Sequence, residues 1–202
     1  LRVADRELDE ARVPLLGVVA AFVFAAQMLN FPIAGGTSGH FLGATLAAVL
    51  LGPWLACVVM AVVLGVQAFA FADGGVTALG ANVLNMGVLG ALLAGGIISL
   101  VVRVFSPDRR QFLTVVAVVA WCAVMLGATA TSVELALSGT VPLSVSLPPM
   151  LSVHALIGIG EAVITVGAVS AVMATRPELI AIGGRELAAA VPPHGSRERS
   201  PA

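Results

Sequence analysis

The sequence predicts an all-helical membrane protein, a polytopic bundle of about six transmembrane segments. Of its 202 residues, 59% are hydrophobic and only 10% are charged, and the mean hydropathy is +1.06. Soluble domains carry about 25% charged residues. The charges are also confined to short clusters, since Asp73 is the only charged residue between Arg12 and Arg103. The bilayer is therefore the expected solvent of this chain.

Six apolar runs account for the predicted spans, because about 20 residues of helix cross the hydrocarbon core. Glycine, proline and charge clusters divide the chain into runs at residues 13–31, 39–51, 53–72, 77–104, 112–137 and 149–175. The second run has about 13 residues, which give about 20 Å of helix, less than the core thickness of about 30 Å. We expect it to be tilted, or reached through a partly re-entrant segment.

Residues 32–39 are the candidate re-entrant segment. They contain three glycines and two hydroxyl side chains, a composition that permits non-helical backbone. At membrane depth such backbone is tolerated only where protein or a water-filled cavity satisfies its polar groups. The segment therefore predicts a cavity beside it.

The arginines predict the orientation, because cytoplasmic loops are enriched in positive charge. With six crossings, all three basic clusters lie on one side: Arg2, Arg6 and Arg12; Arg103, Arg109 and Arg110; Arg176 and Arg185. Loops 32–39, 73–76 and 138–147 then face outward and both termini are cytoplasmic. We divide the chain into a charged cytoplasmic linker (1–12), a transmembrane bundle (13–176) and a largely disordered cytoplasmic tail (177–202).

Composition also excludes some functions. The net charge of −1 gives no indication of a nucleic-acid partner, and the chain has no lysine. A Walker A loop requires a lysine to reach the phosphates, so this chain is not expected to be a P-loop ATPase. Any ATP would be hydrolysed by a partner. The first residue is Leu rather than Met, so we expect the chain to begin downstream of the natural start.

His40 is the first candidate functional residue, within the run Thr37-Ser38-Gly39-His40. An ionisable side chain inside a membrane segment is a functional hypothesis by default, and neutral imidazole is the commonest metal ligand in proteins. His154, near the start of the sixth segment, lies at a similar predicted depth. Either imidazole could instead hydrogen-bond a neighbouring helix.

Two amides and one carboxylic acid are the next candidates. Asn82 and Asn85, three residues apart, share a helix face near the outer end of the fourth segment. They could orient a ligand or a loop, or simply join helices. Glu161 is costly as a free charge in lipid, so it is either protonated or paired within the bundle.

An enzymatic alternative comes from Gly36-Thr37-Ser38-Gly39, which has the G-x-S-G pattern found around the nucleophile of rhomboid-type intramembrane proteases. In that reading Ser38 is the nucleophile and His154 its base. Such a site also needs oxyanion donors and a path for water, and the sequence shows neither.

The order of motifs resembles the CbiM/NikM family. The matching stretches are Val13-Pro14-Leu15-Leu16-Gly17, residues 22–32, Gly35-Gly36-Thr37-Ser38-Gly39-His40, Gly52-Pro53-Trp54, Asp73-Gly74-Gly75, residues 77–82, Asn85-Met86-Gly87, His154-Ala155-Leu156-Ile157-Gly158 and Gly160-Glu161-Ala162. Together they cover about residues 6–175. Members of this family are the membrane-embedded substrate-binding components of energy-coupling factor transporters for cobalt and nickel.

The resemblance implies capture of Co(II) or Ni(II) at the outer face as the transported substrate, with no bound organic cofactor. The implied partners are a transmembrane coupling subunit, two ATP-binding subunits and a small accessory membrane subunit. The implied location is the inner membrane of a bacterium or archaeon. The family's metal ligands are the amino terminus and histidine of a Met-His start and the histidine that His40 matches. Nitrogen ligands suit both metals equally.

The N-terminus departs from the family pattern, because neither the Met-His start nor the helix that carries it precedes residue 1. The family typically has seven spans, and six are predicted here. We expect weak metal binding by the chain as written, since one histidine cannot close a nitrogen site. A vitamin-binding component of the same transporter type is a further alternative.

Overall fold

The computed structural model describes residues 13–33 and 37–184, and it confirms an all-helical membrane-type fold. Its helices are α1 (Val13–Gln27), α2 (Ala44–Leu51), α3 (Pro53–Ala70), α4 (Leu79–Phe105), α5 (Arg109–Leu137) and α6 (Leu143–Thr175). Four of these, α3 to α6, are long and apolar enough to cross a membrane. Helix α1 is also apolar but has 15 residues.

The predicted second span, residues 39–51, is not one helix. A β-hairpin of β1 (Asn30–Ile33) and β2 (Thr37–His40) precedes the eight-residue helix α2. The strands pair antiparallel, with Asn30 opposite His40. Part of the predicted re-entrant segment is therefore extended backbone. The hydrogen bonds between the two strands satisfy its backbone polar groups. Residues 34–36 of that segment lie outside the described residues.

Helix α2 occupies the centre of the bundle. All eight of its residues are buried, and it contacts every other helix, α1 and α3 to α6. Two glycines set its length: Gly43 before it has φ +68°, and Gly52 after it has φ +87°. Only glycine adopts such angles without strain, so the chain turns at both ends of α2.

Helix α6 starts earlier than predicted. The sequence predicts a loop at residues 138–147 and a last span that starts at residue 149, whereas the helix begins at Leu143 and includes Pro148 and Pro149. Proline has no N–H group, so Pro148 and Pro149 leave the carbonyls of residues 144 and 145 without a helical partner. These two residues are exposed near the helix end, so water can reach their carbonyls. His154 consequently lies about three turns into the helix rather than one.

The chain beyond α6 remains packed for several residues. The backbone N–H groups of Ala181 and Ile182 donate to the carbonyl of Val49, at 3.0 and 3.1 Å, and Ile182 is buried. The first eight residues of the predicted disordered tail are therefore ordered against α2. The linker 1–12 and residues 185–202 lie outside the described residues.

The long helices alternate in direction, so the ends of the bundle differ. Asp73 after α3, Asn82 at the start of α4 and Leu135 near the end of α5 line one cavity. Pro53 at the start of α3 and Arg103 near the end of α4 line another. The two cavities therefore lie at opposite ends, and Arg103 is at the end away from the hairpin.

Candidate functional site

The cavity beside the hairpin has a volume of about 250 Å³, and its lining includes Ser38 and the candidate site residues His40, Asn82, Asn85 and His154, but not Glu161. His40 comes from β2, Asn82 and Asn85 from α4, and His154 from α6. The hairpin, α4 and α6 thus bring together residues that are up to 114 positions apart, since 154 minus 40 is 114. Two of these residues, Asn85 and His154, are among the buried polar side chains of the bundle.

Both imidazoles are held in the same way. His40 Nδ1 lies 2.9 Å from the carbonyl oxygen of Phe41, and His154 Nδ1 lies 2.8 Å from that of Met150. A carbonyl oxygen only accepts, so in each neutral imidazole Nδ1 carries the proton and Nε2 keeps its lone pair. Metal-binding histidines are oriented by this kind of hydrogen bond. Each ring can therefore offer Nε2 to a ligand.

The hairpin backbone lies directly against His154. A Cβ atom placed on Gly39 would be 3.0 Å from His154 Cε1 and 2.8 Å from Ile157 Cδ1. Real Cβ contacts are rarely so short, so glycine is what allows β2 to approach α6 here. This approach puts His40, the next residue, at the same cavity as His154.

The two asparagines have different surroundings. Asn82 donates to the carbonyl of Gly74 at 3.1 Å and so holds the loop that follows α3. Asn85 is 4% exposed, and its Nδ2 donates to Glu134 Oε2 at 2.9 Å and Thr131 Oγ1 at 3.2 Å. These bonds fix the amide, and Asn85 Oδ1 has no hydrogen-bond partner among the described residues.

Asn85 lies on a segment with an unusual helical backbone. Residues Val83–Leu93 of α4 form a π-helix, an arrangement found frequently at functional sites. No sequence signal predicts this stretch, because its apolar pattern continues that of the flanking α-helix.

Sequence reasoning did not include Asp73 in the site. Its carboxyl side chain is half-buried and lines the cavity with the thioethers of Met86 and Met150. A signal was present, because a lone carboxylate in a long apolar stretch is a functional hypothesis by default. The methionines carry no such signal, since most methionines in helices fill apolar space.

The donors offered by the described residues are two imidazole nitrogens, one carboxylate and amide or thioether groups. Among residues 13–33 and 37–184 no three His, Cys, Asp or Glu side chains cluster closely enough to enclose a metal ion. The cavity therefore has two imidazoles and one carboxyl group in its lining.

Ser38 also lines the cavity. In the part of the chain that the structure describes, its hydroxyl makes no hydrogen bond to His154, whose Nδ1 bonds Met150 instead. The nucleophile and base pairing that the protease alternative needs is thus not formed.

Comparison with known proteins gives a consistent family match. The family model described as the cobalt uptake substrate-specific transmembrane region, CbiM, matches residues 1–179. An inferred fused nickel transport protein NikMN of Archaeoglobus fulgidus is 44% identical over 168 residues, 82% of this chain and 55% of that protein. The fused nickel transport protein NikMN of Rhodobacter capsulatus is 37% identical over 90% of this chain and 56% of its own length.

A solved structure supports the fold. The crystal structure of a transition metal transporter has a TM-score of 0.77 and 33% sequence identity to this chain, covering 88% of this chain and 82% of the other. The chain spans about half the length of the two fused relatives.

Proposed function

The chain belongs to the CbiM family, and we propose on that premise that it is the substrate-binding membrane component of a cobalt or nickel uptake transporter. The resemblance found in the sequence is thereby confirmed at the level of the family. The observation that carries the proposal is the cavity in which His40 and His154 both keep Nε2 available. Imidazole suits divalent nickel and cobalt, whereas magnesium and calcium prefer oxygen ligands.

His40 is the proposed primary ligand. It is half-buried at the end of β2, and the bond of its Nδ1 to Phe41 holds the ring in one tautomer. His154 and Asn85 are the proposed supporting groups, and Asn82 holds the loop that places Asp73 at the cavity. Further ligands would come from water or from a Met-His segment of the family type.

The size of the cavity favours a hydrated ion over a vitamin. Pockets for organic ligands typically measure about 300–1,000 Å³ and are mostly apolar. This cavity measures about 250 Å³, and its lining includes two imidazoles, a carboxyl group and two amides beside apolar side chains such as Leu42 and Val124. The relatives compared above are likewise named as nickel transport proteins.

We also propose a direction of transport and a source of energy. The arginines at the end of the bundle away from the cavity support a cytoplasmic position for that end, so the metal enters from outside. A transmembrane coupling subunit, two ATP-binding subunits and an accessory membrane subunit would supply the energy, with both chain termini cytoplasmic in an inner membrane. The absence of lysine fits ATP hydrolysis by partners.

Isothermal titration of Ni(II) and Co(II) into detergent-purified protein tests the binding step. The 202-residue chain is compared with the same chain extended by a Met-His helix of the family type, each with and without His40→Ala. We expect tight binding by the extended protein and its loss, by at least about 100-fold, in His40→Ala, because a ligand nitrogen is removed. Binding that is indifferent to His40, or absent from both forms, contradicts the proposal.

A further inference from the structure

Glu161 is a buried carboxylate whose role the cavity alone does not explain. It lies on α6 and is 3% exposed. Its Oε2 accepts the backbone N–H of Leu42 at 3.0 Å, and its Oε1 accepts that of Gly43 at 2.8 Å. The sequence left open whether this group is protonated or paired, and the structure shows it bonded to two main-chain donors.

These two donors precede α2. The first amides of a helix have no partner within the helix, and its N-terminus carries partial positive charge. Gly43, the residue before the first helical residue, makes no side-chain cap, and Glu161 on α6 accepts its N–H group and that of Leu42.

The bonds also join the two histidine-bearing elements. Leu42 and Gly43 follow His40 by two and three residues, while Glu161 follows His154 by seven residues, about two turns of α6. On the other side of His40, Gly39 lies so close to His154 that an added Cβ would be 3.0 Å from its Cε1. The segment that carries His40 is therefore held against α6 at a point on each side of it.

We propose that Glu161 is a positioning residue that fixes His40 relative to His154 at the metal cavity. Its carboxylate does not touch the substrate, and it acts by holding Leu42 and Gly43. The inference rests on the proposed function, because it makes Glu161 responsible for the relative position of the two histidines that are proposed to bind the metal. A purely structural cap of α2 would contribute to folding and leave the metal geometry unchanged.

The first test uses Glu161→Gln, which keeps one acceptor oxygen but turns an amide NH₂ toward the second N–H. Hydrogen exchange is measured for the peptide that covers residues 38–46, without metal. We expect faster exchange in this peptide and unchanged exchange in α5. Unchanged exchange at residues 38–46 overturns the inference, whether or not the protein binds metal.

The second test titrates Co(II) into the extended protein and records its ligand-field absorption. Glu161→Gln is expected to lower affinity by about 10–100-fold, the usual effect of losing a group that orients a ligand, and to shift the spectrum. An unchanged affinity and spectrum overturn the positioning role. If the unsubstituted protein binds no Co(II), the proposed function fails, and the exchange result alone then decides whether Glu161 holds the segment.

Two further variants distinguish a positioning role of Glu161 from a role in folding alone. Thr165→Val changes a buried residue one turn further along α6 and is expected to leave exchange, affinity and spectrum unchanged. Glu161→Asp keeps both acceptor oxygens on a shorter side chain. This variant is therefore expected to fold and to bind Co(II) more weakly than the unsubstituted protein. If Glu161→Gln does not fold, full affinity in Glu161→Asp overturns the inference.

Discussion

At the residue scale, the site depends on how each imidazole is held. The carbonyls of Phe41 and Met150 accept from Nδ1 of His40 and His154, so both rings present the Nε2 lone pair. A single tautomer reduces the ordering cost of binding a cation. The proposed binding chemistry thus follows from main-chain hydrogen bonds as much as from the histidines themselves.

Gly39→Ala is expected to weaken metal binding. Its added Cβ would lie 2.8 Å from Ile157 Cδ1 and 3.0 Å from His154 Cε1, so β2 and His154 must move apart. We expect at least about tenfold lower Co(II) affinity by titration in detergent, since small displacements of ligands are costly.

Gly65→Ala is the matched control for this change. A Cβ at Gly65 meets nothing within 4 Å, and alanine favours helix, so affinity should stay unchanged. Equal Co(II) affinities for Gly39→Ala and the unsubstituted protein would show that close packing of the hairpin against His154 is not needed for binding.

At the element scale, small residues let α2 lie in the centre of the bundle. A Cβ on Gly95 of α4 would be 2.9 Å from Ala48 Cβ and 3.0 Å from Pro53 Cβ. Close backbone approach through small residues is what drives helix packing in lipid. Helix α2 can therefore be only eight residues long and still contact all its neighbours.

Gly95→Ala is expected to destabilise the bundle by about 1–3 kcal/mol, because the added methyl overpacks the contact between α4 and α2. Gly96→Ala, at the next residue, meets nothing within 4 Å and should be neutral or slightly stabilising. Thermal unfolding in detergent measures both. Equal midpoints for the two variants would contradict this account of the packing.

Some elements were predictable from sequence and others were not. The runs that become α3, α4 and α5 are long and apolar, so hydropathy located them to within a few residues. The hairpin and α2 escaped prediction because a short apolar helix resembles a short span. The start of α6 was misplaced because Pro148 and Pro149 break most helices, whereas here exposure of the preceding carbonyls makes them tolerable.

At the scale of the whole molecule, the candidate site residues line one cavity, and Arg103 lies at the opposite end of the bundle. His40, Asn82, Asn85 and His154 were predictable as polar exceptions in an apolar chain. Their convergence was not, since it depends on how the hairpin, α4 and α6 pack against one another. Asp73 and the amide bonds of Glu161 emerged only when the loops and the start of α2 were located.

X-ray absorption spectroscopy of the Ni(II) complex of the extended protein tests the central claim most directly, because it identifies the atoms bound to the metal. The account predicts nitrogen ligation with imidazole scattering that decreases in His40→Ala. A shell of oxygen ligands only, or imidazole scattering that is unchanged in His40→Ala, would contradict it.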